Sequence, residues 1–264
     1  MRYFVRKVCT PIATAALLGL AAGSASADGP AVSQTNLKVT AAAGSVESES
    51  AWYVSAGLTA PLSERWGFQA EVGTAGVDSD TFSGVGGHVF TRDPDKHLFG
   101  LFAAYASEDS FDLDATRLGA EAELYYSQVT LLAKAGYQFS EAFGDSAFAD
   151  VELRWYISNN LAMSGGAAFA DNASAGRVGA EWMPAGSALP GLALRVDATF
   201  GENEFDSVLG GITYYFGGDA SLKDHHRKQD PDSALFTLFQ AVQQQEVEYC
   251  TQHTCGAPPP PVYN

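Results

Sequence analysis

Twelve ionisable side chains sit at even spacings in otherwise apolar stretches of this 264-residue sequence. They are Glu71; Arg117, Glu121 and Glu123; Lys134; Asp150, Glu152 and Arg154; Arg177 and Glu181; and Arg195 and Asp197. Even spacing puts side chains on one face of an extended strand. Seven acids and five bases facing a shared enclosed space support two kinds of chemistry. They cross-link into a salt-bridge network, or they set up a transverse field that orients water and screens solutes by charge. The excess of acids favours cations if a path is open. Catalysis is poorly served: His88 and His97 are the only histidines in this region, and neither falls beside a nucleophile. No enzyme activity and no cofactor are expected. Cys250, His253 and Cys255 give three ligands in six residues with no fourth, short of a zinc site. A local disulfide between Cys250 and Cys255 is the default in an oxidising compartment.

The elements that position those charges are strands. In 117–126, Leu118, Ala120, Ala122, Leu124 and Tyr126 alternate with Arg117, Gly119, Glu121, Glu123 and Tyr125. From Val129 the phase flips to odd apolar positions, ending at Phe139. The flip across Tyr126, Ser127 and Gln128 predicts a tight hairpin. The same reading gives twelve strands, near 36–43, 49–60, 64–76, 79–91, 96–108, 112–125, 127–139, 145–157, 160–170, 174–184, 190–202 and 205–217. The fourth and fifth are ambiguous, and 97–106 (HLFGLFAAYA) is apolar on both faces. The count is bounded between ten and fourteen.

Residues 1–27 carry Arg2, Arg6 and Lys7, an apolar run and Ala25-Ser26-Ala27, the pattern of a cleaved secretory signal. Its removal takes the formal net charge from −16 to −19. Such an acidic chain argues against nucleic acid as a partner. Links after odd strands are acidic, from Glu47 and Glu49 through Asp78, Asp80, Asp114 and Asp145 to Glu202 and Asp206, without Lys or Arg. Carboxylate oxygens suit Ca²⁺ or Mg²⁺, so divalent cations are candidate partners there, although no link has EF-hand spacing and no metal site is assigned. Links after even strands read as mostly short, with Arg65, Arg92 and Lys96 near them. Trp66, Phe90, Tyr125, Tyr126, Trp155, Tyr156, Trp182, Tyr214, Tyr215 and Phe216 collect at that end. A thinner set, Phe139, Phe148, Phe169 and Phe200, marks the other. Rings gather at membrane interfaces.

With these hairpins, two aromatic girdles and a last strand SVLGGITYYF over 207–216, the sequence resembles the bacterial outer-membrane β-barrel proteins of the porin-like kind. The resemblance covers about 28–217. It implies an all-β, antiparallel transmembrane barrel of about twelve strands in contact with outer-membrane lipid. It also implies that the terminal strand is read by the barrel-assembly machinery, with Phe216 as the closing aromatic. Residues 218–264 depart from the pattern and are expected as a periplasmic tail. Within it, Asp230 and Pro231 fit a helix start, and Leu235, Leu238, Phe239 and Val242 give 231–247 an apolar stripe. That helix plugs the mouth, lies on the inner leaflet or docks on a partner, unless the tail is loosely ordered. Pro258–Pro261 form a stiff polyproline end. The function expected is passive diffusion of small hydrophilic solutes with a preference for cations. The alternative is a non-conducting structural or surface-interaction barrel.

Overall fold

The computed structural model describes residues 29–252 apart from 79, 109–112, 141–143, 171–172, 203–204 and 217–219. Twelve antiparallel strands form one closed barrel in sequence order, with β1 hydrogen-bonded to β12. They are β1 (Asn36–Val46), β2 (Glu49–Pro61), β3 (Trp66–Val77), β4 (Asp80–Asp93), β5 (His97–Glu108) and β6 (Leu113–Tyr126). The second half is β7 (Val129–Phe139), β8 (Ser146–Ser158), β9 (Leu161–Ala170), β10 (Ala173–Trp182), β11 (Leu192–Gly201) and β12 (Asp206–Tyr215). Closure leaves no strand edge unpaired, as a sheet surrounded by lipid requires.

The alternation sorts the side chains. Val54, Leu58, Val72, Val85, Leu101, Leu118, Leu153, Val178, Val196 and Ile212 are exposed on the outer wall. Their strand neighbours in the other phase point inward. An outer wall of aliphatics around a charged interior is the reverse of a soluble barrel and fits lipid outside. Among the described residues no helix is long and apolar enough to cross a membrane.

Two expectations need correction. The connections do not sort by length: 47–48 and 78–79, after odd strands, are as short as 127–128, and the longest, 183–191, follows β10. Charge, not length, separates the rims: the acidic rim carries no Lys or Arg, and the opposite one, called basic below, carries Arg65, Lys96, Lys223 and Lys228 among Glu64, Asp93, Asp95 and Asp224. The tight turns use residues at positive φ, Glu47 and Ser48 in the first hairpin and Ser127 in the sixth, which matches the twist of paired strands. The girdle is also thinner than read. Trp66, Tyr126, Trp155, Trp182 and Phe216 face outward, but Phe90, Tyr125, Tyr156, Tyr215 and, at the acidic end, Phe148 are buried inside. They point inward because something fills the interior.

That filling is the chain itself. The sequence places 218–264 after the barrel as a tail whose helix plugs the mouth, lies on the inner leaflet or docks on a partner, whereas residues 220–245 pack within the barrel. A short helix α1 (Leu222–Asp224) runs on as a π-helical turn over His225–Gln229. Helix α2 (Ala234–Gln252) then lies in the lumen against β3, β4, β5 and β6. The signal segment 1–27, Cys255 and Pro258–Pro261 lie outside the described residues, and with Cys255 the disulfide to Cys250.

Candidate functional site

The interior begins at the basic rim with a mouth made of both chain ends. Ala31 donates its N–H to the Glu64 carbonyl, and Ser33 donates to that of Lys228. Val32 packs with Phe90, Leu98 and Tyr125. From the other end of the chain, Arg227 donates to the Ser127 and Val129 carbonyls at 2.9 and 2.7 Å and to Thr130 Oγ1 at 3.0 Å. Its guanidinium stacks between Tyr125 and Tyr156. His226 Nε2 lies 3.2 Å from Glu181 Oε2, and Nδ1 lies 3.1 Å from the Tyr156 hydroxyl. A carboxylate only accepts, so Nε2 carries the hydrogen and Tyr156 donates to Nδ1. Burial, then the Arg154 charge, push the His226 imidazole below its ordinary pKa, with Glu181 pulling the other way.

Above the mouth the chain enters the charged belt. Asp230 was read as the helix cap but is extended; it accepts from Asn36 and, at 2.8 Å, from Thr59, which in turn accepts from Gln69. The helix starts later, at Ala234. Ser233 Oγ accepts the Phe236 N–H, as a cap residue does. Glu71 Oε2, reaching in from β3, accepts the N–H groups of Ala234 and Leu235 at 3.1 and 3.3 Å. A carboxylate at a helix N-terminus satisfies orphan donors and meets the positive end of the helix dipole. Asp232 sits between Lys134 and Arg154, each at 2.9 Å. Lys134 also donates to the carbonyls of Asp232 and Ser233.

All twelve charged residues singled out in the sequence point inward. Asp150 meets Arg177 at 2.9 Å and Arg117 at 3.8 Å; Glu152 meets Arg154 at 2.7 Å; Asp197 meets Arg195 at 2.8 Å. Glu181 accepts from Tyr215 and His226. His88 is held within the lumen between Glu121 at 2.9 Å and Glu71 at 3.5 Å. Glu123 accepts from the Tyr125 hydroxyl. Two inward bases were missed. Lys38 donates to the Pro231 carbonyl, and Arg92, assigned to the rim, is buried with its guanidinium on the Phe90 ring and a bond to the Ala31 carbonyl. Counting Lys38 and Arg92 with the five bases makes seven; the strand-end acids Asp93 and Glu108 are buried as well, which makes nine acids. The wall between the rims therefore keeps an excess of two acids.

Helix α2 divides the lumen. Its apolar stripe, Leu235, Leu238, Phe239 and Val242, is at most 3% exposed and packs on Tyr53, Ala75, Phe82, Phe102 and Ala104. Gly73 and Gly84 form the seat: a Cβ on Gly84 would come within 2.7 Å of Leu235, and one on Gly73 within 3.1 Å. The opposite face of the helix is polar. Gln240 accepts from Arg177 and donates to Thr199, and Gln244 donates to the Ser174 carbonyl. On that side three cavities of about 90, 80 and 30 Å³ follow one another along β8–β12. Arg154, Arg195 and Asp232 line both of the first two, and Arg177 and Thr199 line both of the last two. Such volumes hold a few waters each. Among the described residues no group of three or more His, Cys, Asp or Glu is arranged to hold a metal.

Two solved structures of the KdgM porin, one in complex with disordered oligogalacturonate, superpose on the chain with TM-scores of 0.52. They share 6% and 7% identity and cover 68% of this chain and 98% of theirs. The fold is that of a bacterial outer-membrane β-barrel. The COG4313 outer membrane channel from Pseudomonas putida F1 matches at a TM-score of 0.48 and 11% identity, over 69% of this chain and 94% of its own. No family profile and no curated protein matches the sequence. What the sequence reading of this outer-membrane barrel fold missed is the plug's position. The signal was present: a strand apolar on both faces, β5, needs an apolar partner on each, and one of those partners is α2.

Proposed function

We propose that the protein is an outer-membrane channel for small hydrophilic solutes, closed in its resting state by its own C-terminal segment, with a preference for cations. The signal pattern and the lipid-facing outer wall support the outer membrane, with the basic rim, where both barrel termini lie, on the periplasmic side. The observation that carries the channel reading is α2 in the lumen. A barrel built only to be stable fills its interior with side chains from its own wall. This one leaves a space that a contiguous, separable piece of chain occupies. The cavities that line it among the described residues hold a few waters each, and in this reading solutes pass when the helix shifts. With most wall acids paired, the cation preference rests on the acidic rim.

Planar-bilayer conductance of refolded 28–264 beside 28–218 tests this reading. The full chain is expected to be closed with rare openings, and the shortened chain to give discrete steps. Heat-modifiable migration on gels verifies that each has folded. Silence from a folded 28–218 would remove the channel and leave the non-conducting structural barrel.

A further inference from the structure

We propose that residues 29–33 form a strap that acts as the catch of the plug: lifting the strap frees the C-terminal segment to leave the lumen. This deepens the channel reading by naming its control, and rests on that reading for its conductance readout.

The strap has a built seat. Ala31 and Val32 are at most 1% exposed, although they precede β1 and belong to no strand. Val32 packs on Phe90, Leu98 and Tyr125 at the basic rim. Gly67, in β3, leaves the room for it. A Cβ there would come within 2.6 Å of Val32 Cγ2 and 2.5 Å of the Phe90 ring. Ala31 donates to the Glu64 carbonyl at 2.8 Å, and its own carbonyl accepts from Arg92 at 3.2 Å.

The same residues reach the plug. Ser33 donates its N–H to the Lys228 carbonyl at 2.8 Å, in the π-helical turn. Tyr125, which Val32 touches, carries the Arg227 guanidinium 5.1 Å from its ring centroid. Val32 and Ser33 therefore hold residues 227 and 228, one through a shared ring and one directly. Next along the chain, Asn36 and Lys38 bond Asp230 and Pro231, but both are fixed in β1. The strap can let go without opening the barrel, because residues 29–33 take no part in the ladders that β1 makes with β2 and β12.

The closed seat also stores a cost. Arg92 is 1% exposed, and its Nε and Nη2 have no hydrogen-bond partner among the described residues. Buried donors with unmade bonds are a standing penalty. Lifting the strap opens the seat to water, which can satisfy those N–H groups. That return offsets part of the lost Val32 burial and makes the seat reversible, as a catch requires.

The test removes the strap and leaves the plug: 34–264 beside 28–264, with Val32→Asp and Val32→Ala in 28–264 as separate variants. Heat-modifiable migration verifies folding, and the milder Val32→Ala decides if the other two fail to fold. Two readouts are compared, openings in planar bilayers and trypsin cleavage after Arg227 in detergent micelles, located by mass. Trypsin must take the Arg227 side chain, which is stacked on Tyr125 and Tyr156, so its rate follows the released population. One hydrogen bond is worth about fivefold. The strapless chain and Val32→Asp are therefore expected to open, and to be cut, at least about fivefold more often than 28–264, with Val32→Ala moving less in the same direction. A folded 34–264 as closed and as resistant as 28–264 overturns the proposal. Either readout moving alone, where 28–218 conducts, overturns it too, because release of the turn and release of the plug are then separate events. If a folded 28–218 is silent, the channel reading fails and cleavage alone decides the strap: faster cutting keeps it as the holder of the C-terminal segment, and unchanged cutting removes it.

Discussion

Asp232 is the residue on which the plug's charge register turns. Lys134 and Arg154 each hold its carboxylate at 2.9 Å. Its side chain keeps 28% exposure, so the loss on removing the charge is nearer that of a charged hydrogen bond than of a fully buried pair, about 2 kcal/mol. That converts to roughly 30-fold in the seated-to-released ratio. Asp232→Asn should raise the frequency of openings of the full chain at pH 7 by about that factor. A ratio near one at pH 7 would remove Asp232 from the latch.

At the scale of the element, the apolar stripe outweighs the charges. Four fully buried side chains of the size of Leu235, Leu238, Phe239 and Val242 are worth about 6–12 kcal/mol against exposure, several times the Asp232 contact. The charges set where α2 sits, and the stripe decides whether it sits at all. Leu235→Asn with Phe239→Asn should make the full chain conduct in steps of the size given by 28–218, with unchanged heat-modifiable migration. Continued closure would mean that the stripe does not hold the plug. The wall strands were legible because each has lipid on one side and polar groups on the other, so the period of two is printed cleanly in 49–60 or 145–157. β5 is legible as a strand but not in its facing, because Phe99 and Leu101 face outward while Leu98, Phe102 and Ala104 face inward. The stripe of α2 was visible too. Periodicity names a face but not its partner, so the sequence leaves three placements for the helix, of which plugging the mouth is the nearest to its seat in the lumen. Its start was misplaced by a local rule: Asp230-Pro231 is a good opening pair, but Asn36 and Thr59, far away in sequence, claim the Asp230 carboxylate.

For the whole molecule, selectivity follows from where charge is left uncompensated. Alternation identified the twelve inward charges but not those at strand ends, Lys38, Arg92, Asp93 and Glu108, where a rim position and a lumen position read alike. Most wall acids have a basic partner within 4 Å or a hydroxyl donor. Glu47, Asp78, Asp114, Asp145 and Asp206 gather at the rim whose links carry no Lys or Arg. A ring of like charge at a pore entrance concentrates counter-ions over about a Debye length, ~10 Å at 0.1 M salt and ~3 Å at 1 M. In the 28–218 channel, Asn or Gln at those five rim positions should move the reversal potential in a salt gradient toward zero at 0.1 M and much less at 1 M. A reversal potential that does not move at 0.1 M when the rim is neutralised would place the filter in the wall instead.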